Sequence, residues 1–553
     1  MHRLHLVSFA FALLLPGFLK AQTNTSTNPI SREALMGAEK LIGMDFSDAK
    51  IDMLLPGLRD QLRQFERMRK FPLSNSVPPA LVFNPLPAGL KLEGGHKKFR
   101  MTPPGKVRLP ANLDDLAFYS IGELGALIKT RQITSEKLTR LCLARLKEFG
   151  PKLECAVTVT EELAIERARR ADREIAGGHY RGPLHGIPYG AKDLLATKGI
   201  PTTWGATPYT NQIFDSDATV IKRLEQAGAV LVVKTTLGEL AMGEVWFGGK
   251  TRNPWNREQG SSGSSAGSCA ATAAGLIPFG IGSETLGSIV SPSDRCGTTS
   301  LRPTFGRVSR AGAMTLSWTM DKLGPICRTV EDCAIVFNAI YGPDGIDQTV
   351  CDAAFNYDPR IKLKKLRIGY VKSDFDKESG ERKQSDEATM QKMRALGVEL
   401  VPVELPDYPL NSISFLLSTE AAAAFDGLTR TEQDDRLKQQ QSGSWPNTFR
   451  ERRFVPAVEY IQAQRIRYLL IQETARVFEK VDLFLAPSLN GRSLLLSNLT
   501  GHPCVVLPNG FSKAGTPMSV CFIGRLFGEG ELLAAAKHYQ DATEFHRKHP
   551  KLD

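Results

Sequence analysis

The chain has 553 residues, of which 42% are apolar and 23% charged, an ordinary globular composition that argues against wholesale disorder, a fibre or a polytopic membrane protein. At that length, several domains or one large α/β enzyme domain are expected. The net charge of +11 is spread along the chain rather than packed in one block, so no nucleic-acid partner is expected; nine cysteines without a Cys-x-x-Cys pair exclude a disulfide-dense scaffold and a zinc-ligand pattern.

Met1 to Ala21 reads as an export signal (residues 1–21). Arg3 supplies a basic start, Leu6 to Leu19 is apolar apart from Ser8, and Ala21 is small, as the residue before a cleavage site should be. The apolar run of 14 residues falls short of the roughly 20 that cross a bilayer, so no stable membrane insertion is expected after cleavage. The protein is therefore expected to be exported, periplasmic or extracellular. An odd cysteine count leaves at least one thiol free or paired between chains.

Residues 22–113 read as an N-terminal extension. Ala34 to Arg69 is expected to be helical, with Leu54, Leu58, Leu62 and Phe65 at helical spacing. Pro72 to Pro110 carries Pro78-Pro79, Gly94-Gly95 and Pro103-Pro104 and reads as a linker or a wrapping arm. The main domain is placed at residues 114–550. Ser120-Ile121-Gly122-Glu123 is a capping-box pattern that opens a helix. Thr134 opens a second, which Gly150-Pro151 should stop, and a third runs from about Thr160 to Ala176. Asp217 is expected to cap a helix that ends at Gly228, with Ala229 to Val233 following as a buried strand. This alternation predicts an α/β fold with a mostly parallel sheet.

Two stretches carry chemistry. One is Gly186-Ile187-Pro188-Tyr189-Gly190-Ala191-Lys192-Asp193. The other runs from Gly260 to Pro292 and begins almost entirely in Gly, Ser, Ala and Thr. Cys269 to Leu276 is expected to be a helix of small residues and Ile277 to Ile281 a buried strand, so the second stretch lies inside the fold rather than in a linker. Gly263-Ser264-Ser265-Ala266-Gly267 matches the nucleophile-elbow pattern, yet a polar turn precedes it and no histidine occurs between His185 and His502. A Ser-His-Asp hydrolase is therefore disfavoured. A metalloenzyme fares worse, with no HExxH and nine histidines in all. A lysine base remains. Burial disfavours the charged ammonium, so Lys192 at the end of a buried strand can be neutral near pH 7 and accept a proton.

These stretches resemble the amidase signature family, in which a lysine precedes an aspartate, a Gly/Ser run follows, and a serine in a turn lies 24 residues beyond the run's own catalytic serine, as Ser288 does beyond Ser264. Leu301-Arg302-Pro303-Thr304, Gly324-Pro325 with Arg328-Thr329, and Asn498-Leu499-Thr500-Gly501-His502-Pro503 are also similar to family text. The resemblance implies one large domain: a central mixed sheet flanked by helices on both faces, behind a helical and extended prefix. It implies that Ser288 is the nucleophile, Ser264 the bridging serine after a cis Gly263–Ser264 bond, and Lys192 the base. Ser265 would support the relay, and the N–H groups of Thr285, Leu286 and Gly287 would form the oxyanion hole. No metal and no cofactor are implied. Many members carry Asp where this chain has Glu284 and Gly where it has Leu286. Val290 stands where the glutamine-using amidotransferase subunit often carries arginine.

The favoured function is an exported hydrolase that cleaves the C–N bond of a small-molecule carboxylic amide through a serine acyl-enzyme. The alternative is the ammonia-releasing A subunit of a tRNA-dependent glutamyl/aspartyl amidotransferase, against which the export signal, Leu286 and Val290 all count. The intact triad sets aside a non-catalytic binding protein on the same scaffold. The acyl pocket is expected from Gly238–Gly248 and Ser412–Gln472, with Trp246, Phe247, Phe415, Leu416 and Leu417 as its apolar candidates or as ordinary core.

Overall fold

The structure, a computed structural model, describes residues 30–70, 73–92 and 94–552, so the signal at Met1–Ala21 lies outside the described residues. The chain divides into two compact units between Leu73 and Ser74. In the first, two helices, Arg32–Ile42 and Asp48–Arg69, replace the single helical stretch expected over Ala34–Arg69. Gly43 ends the first of them at φ 66°, a left-handed conformation that glycine adopts without steric cost.

The second unit is built on a sheet of eleven strands: β1 Ala156–Val159, β2 Pro188–Lys192, β3 Val230–Thr235, β4 Phe279–Glu284, β5 Thr299–Arg302, β6 Lys322–Cys327, β7 Ile368–Val371, β8 Leu400–Val403, β9 Leu483–Pro487, β10 Cys504–Phe511 and β11 Pro517–Gly524. Their spatial order is β1-β3-β2-β4-β6-β5-β10-β11-β9-β7-β8. Strands β3, β2 and β4 are mutually parallel, as are β9, β7 and β8, whereas every pairing from β4 through β6, β5, β10 and β11 to β9 is antiparallel. The sheet is thus mixed, not mostly parallel. Helical periodicity between strands predicts crossovers well, but β10 and β11 join through a short turn at Ser512–Thr516 that carries no helix.

Local signals are honoured unevenly. The capping box at Ser120 and Glu123 is formed and opens helix Ile121–Lys129. Pro151 does not stop the next helix, which runs Ser135–Leu153 and ends at Glu154 in a left-handed conformation. Asp217 accepts the Lys198 N–H at 2.7 Å instead of capping helix Thr219–Gln226. The proline-rich arm from Ser74 onward belongs to the second unit. Phe83 packs edge-on against Phe305 at 5.0 Å, and Phe99 stacks on Tyr357 at 5.7 Å. All nine cysteines are free thiols, eight of them buried. Among the described residues no helix is long and apolar enough to cross a membrane.

Candidate active site

Lys192 is the last residue of β2, and β2 runs parallel between β3 and β4. Its side chain is fully buried. Nζ lies 2.7 Å from Ser264 Oγ, 3.1 Å from Ser265 Oγ and 2.9 Å from Ser283 Oγ. No carboxylate pairs with it among the described residues. Burial disfavours the ammonium and pulls Lys192 down to about 7, against smaller opposing pulls from Cys269, Asp321 and Glu284. A lysine in this state exchanges a proton with a hydroxyl near neutrality.

Ser264 and Ser265 stand at the entrance to helix Ala266–Ala273, every residue of which is buried. The Gly263–Ser264 peptide bond is cis. A Cβ on residue 263 would fall 1.9 Å from the Gly243 carbonyl oxygen, so only glycine fits there. Ser265 ties the centre together. Its N–H donates to the Ser288 carbonyl at 3.0 Å, its Oγ donates to the Ser283 carbonyl at 3.0 Å, and it accepts the Ser283 N–H at 3.1 Å. The hydrogen bond between Ser264 Oγ and Ser288 Oγ that a relay needs is not formed among the described residues. Ser264 instead engages Lys192, and Ser288 is held through its own carbonyl.

The turn after β4 carries Thr285, Leu286, Gly287 and Ser288. Among the described residues none of their four N–H groups has a hydrogen-bond partner, which leaves a cluster of donors beside the Ser288 hydroxyl. Gly287 sits at φ 78°, and a Cβ there would press on Ser291 Oγ at 3.0 Å. Glu284 anchors the turn from below. Its carboxylate accepts the Ile289 and Val290 N–H groups at 2.9 and 3.0 Å, Asn498 Nδ2 at 2.8 Å and the Arg302 guanidinium at 2.7 Å. Burial alone would push this carboxyl up, but Arg302, Lys322 and the hydrogen bonds outweigh it and hold it at about 2. Glu284 is therefore a permanent anion and takes no part in proton transfer near neutrality.

A cavity of about 170 Å³ adjoins these groups through Ser283 and Thr285. Asp321 faces it and accepts the Thr285 hydroxyl at 2.6 Å, together with the Leu316 and Ser317 N–H groups at 2.8 and 3.0 Å. Ser283 and Asp321 escape a reading of the sequence. Cross-strand register places them here, Ser283 facing Leu323 across β4 and β6, and a single sequence carries no register signal. The expected pocket segments contribute only Ala241. Trp246 and Leu416 are buried as core, while the cavity wall comes from residues 310–323, 346–349 and the arm at 76–83.

A family model described as Amidase matches residues 137–496, a span that contains Lys192, Ser264 and Ser288. The A subunit of glutamyl-tRNA(Gln) amidotransferase from Geobacter metallireducens is 34% identical over 475 residues, covering 77% of this chain and 98% of that protein. The protein of the same name from Thioalkalivibrio sulfidiphilus is 35% identical over 480 residues, covering 78% and 99%. Among solved structures, native peptide amidase from Stenotrophomonas maltophilia superposes with a TM-score of 0.71 at 28% identity, covering 80% of this chain and 100% of that one. A bacterial aryl acylamidase of the amidase signature family shares the fold, with a TM-score of 0.69 at 22% identity over 78% of this chain and 98% of that one.

These relatives overturn the reading as an exported amide hydrolase, because the proteins matched over nearly their whole length are named as amidotransferase subunits. Neither of the two departures that favoured that reading lines the cavity. Leu286 is 36% exposed and leaves its N–H free, and Val290 is fully buried in an apolar cluster. The expectation of no nucleic-acid partner is likewise at odds with the relatives' names. Both the matched span and the relatives place the conclusion at the level of the family: the chain belongs to the amidase signature family and is an amidase-type enzyme.

Proposed function

We propose that this chain is the ammonia-releasing subunit of a tRNA-dependent amidotransferase and hydrolyses the side-chain carboxamide of glutamine, a linear amide. The observation that carries this reading is the 34–35% identity to the two amidotransferase subunits over 98–99% of their length. The cavity supports a small acyl group: about 170 Å³ is well under the roughly 300–1,000 Å³ of sites for drug-sized ligands.

Neutral Lys192 takes the Ser264 proton as Ser264 takes that of Ser288, and Ser288 Oγ attacks the amide carbon. The free N–H groups of Thr285, Leu286 and Gly287 receive the developing oxyanion, and Glu284 holds their turn in place. The proton returns through Ser264 to the departing nitrogen, which leaves as ammonia. Water, activated along the same path, then cleaves the acyl-enzyme.

The test is ammonia release from glutamine by the purified chain, alone and with the other amidotransferase subunits and glutamyl-tRNA(Gln). Release that needs Ser288 and rises with the partners is expected. No release in either setting, while Ser288 still reacts with a fluorophosphonate, would remove glutamine as the substrate.

A further inference from the structure

Residues 76–83 precede the span 137–496 that the family shares, and in the structure they form a wall. Pro79, Leu81, Val82 and Phe83 line the cavity of about 170 Å³ beside the catalytic turn and also an apolar groove of about 620 Å³. Trp318 faces both spaces. The far side of the groove is helix Ala457–Lys480, through Tyr460, Tyr468 and Ile471.

The strap is pinned at its two ends. Asn75 Nδ2 donates to the Thr315 carbonyl at 2.9 Å, and the Thr315 N–H donates to Asn75 Oδ1 at 2.8 Å. At the other end Phe83 lies against Phe305, with the buried Arg467 guanidinium 3.7 Å from its ring centre. From Pro78 to Val82 the main chain makes no hydrogen bond among the described residues. Leu81 is 80% and Val82 53% exposed. Apolar side chains so poorly buried add little to folding, yet both line the cavity and the groove. Pro78 and Pro79 fix φ and keep the span stiff.

Resting on the reading that Ser288 is the nucleophile, we propose that this strap is the specificity element of the site. It holds the enzyme to small amides, and thinning it joins cavity to groove and admits long alkyl or aryl acyl groups. Two variants act in opposite directions: Leu81→Ala/Val82→Ala thins the wall and Val82→Phe thickens it.

The readout is the rate of Ser288 labelling by decyl and by ethyl fluorophosphonate. In this step Ser288 Oγ bonds phosphorus, fluoride leaves, and the serine proton passes to Lys192. The decyl-to-ethyl rate ratio should rise about tenfold in the thinned variant and fall in the thickened one, as expected for gain or loss of an apolar contact. A ratio that stays at the wild-type value in both variants, with melting temperatures showing both folded, would overturn the proposal. Glutamine takes no part in this measurement, so a failure of the glutaminase reading leaves the result standing. Labelling that persists in Ser288→Ala would instead refute the nucleophile.

Discussion

Lys234 Nζ lies 2.9 Å from Asp193 Oδ1, so the acid that follows Lys192 in the chain neutralises a different lysine. Both partners are fully buried, and Lys234 also reaches Thr202 Oγ1 at 2.9 Å. Asp193 opens the turn just past β2, where its carboxylate is engaged by Lys234 and by the Thr203 N–H and hydroxyl, while Lys192 reaches the serines. The pairing keeps an anion off Lys192, which would otherwise hold its proton.

Breaking this pair should be costly. Asp193→Asn leaves the Lys234 charge buried and unpaired, and about 3–5 kcal/mol of stability should be lost. Chemical denaturation measures it. The double variant Asp193→Asn/Lys234→Met should recover much of the loss, because neither charge then remains. A single variant as stable as the wild type would show that the pair does not hold this corner of the fold.

The rate of Ser288 labelling should follow the ionisation of Lys192. Burial lowers its pKa to about 7, so the proton-accepting form dominates above that pH and disappears below it. Reactivity should reach a plateau above pH 7 and fall about tenfold per unit below it. Glu284, held at about 2, contributes nothing to that limb. Lys192→Met should abolish the limb and slow the reaction, with partial recovery at high pH as hydroxide replaces the base. An acid limb that survives in Lys192→Met would belong to another group.

The two serines should separate in single variants. Ser288→Ala should eliminate labelling. Ser264→Ala should leave slow labelling, because the nucleophile remains and only its proton path is lost. Ser264 and Ser288 are not hydrogen-bonded to each other here, and such contacts often tighten only with substrate present. Full-rate labelling of Ser264→Ala would take the bridging role from that residue.

The sequence displays some of this site and hides the rest for physical reasons. Lys192 and Ser264 stand out because a lysine in an apolar strand and hydroxyls in a buried small-residue run violate the usual burial preferences, whereas Ser288 is marked only by the spacing that resembles the amidase signature pattern. Ser283 and Asp321 break no such rule, and they join the site only through the register of β4 against β6. The mixed sheet is partly hidden because a strand's own sequence does not encode the direction of its neighbour. The strap reads as a linker or a wrapping arm alike, because prolines and apolar residues mark loops equally well whether they cross solvent or a cavity.

Leu286 sits in the turn after β4, and its side chain is 36% exposed rather than part of the cavity wall. Its contribution should therefore come through the backbone. Replacing it by glycine releases backbone freedom of about 0.5–1 kcal/mol, or roughly two- to fivefold in rate if the turn must be ordered in the transition state. That loss concerns the N–H donors and not the acyl group, so Leu286→Gly should lower kcat/KM for a small and a bulky amide by a common factor. A side chain in contact with the acyl group would behave differently, changing the ratio between the two substrates by about 10–200-fold. Measuring kcat/KM for both substrates in both proteins distinguishes these outcomes, and a tenfold change in the ratio would place Leu286 in the substrate site after all.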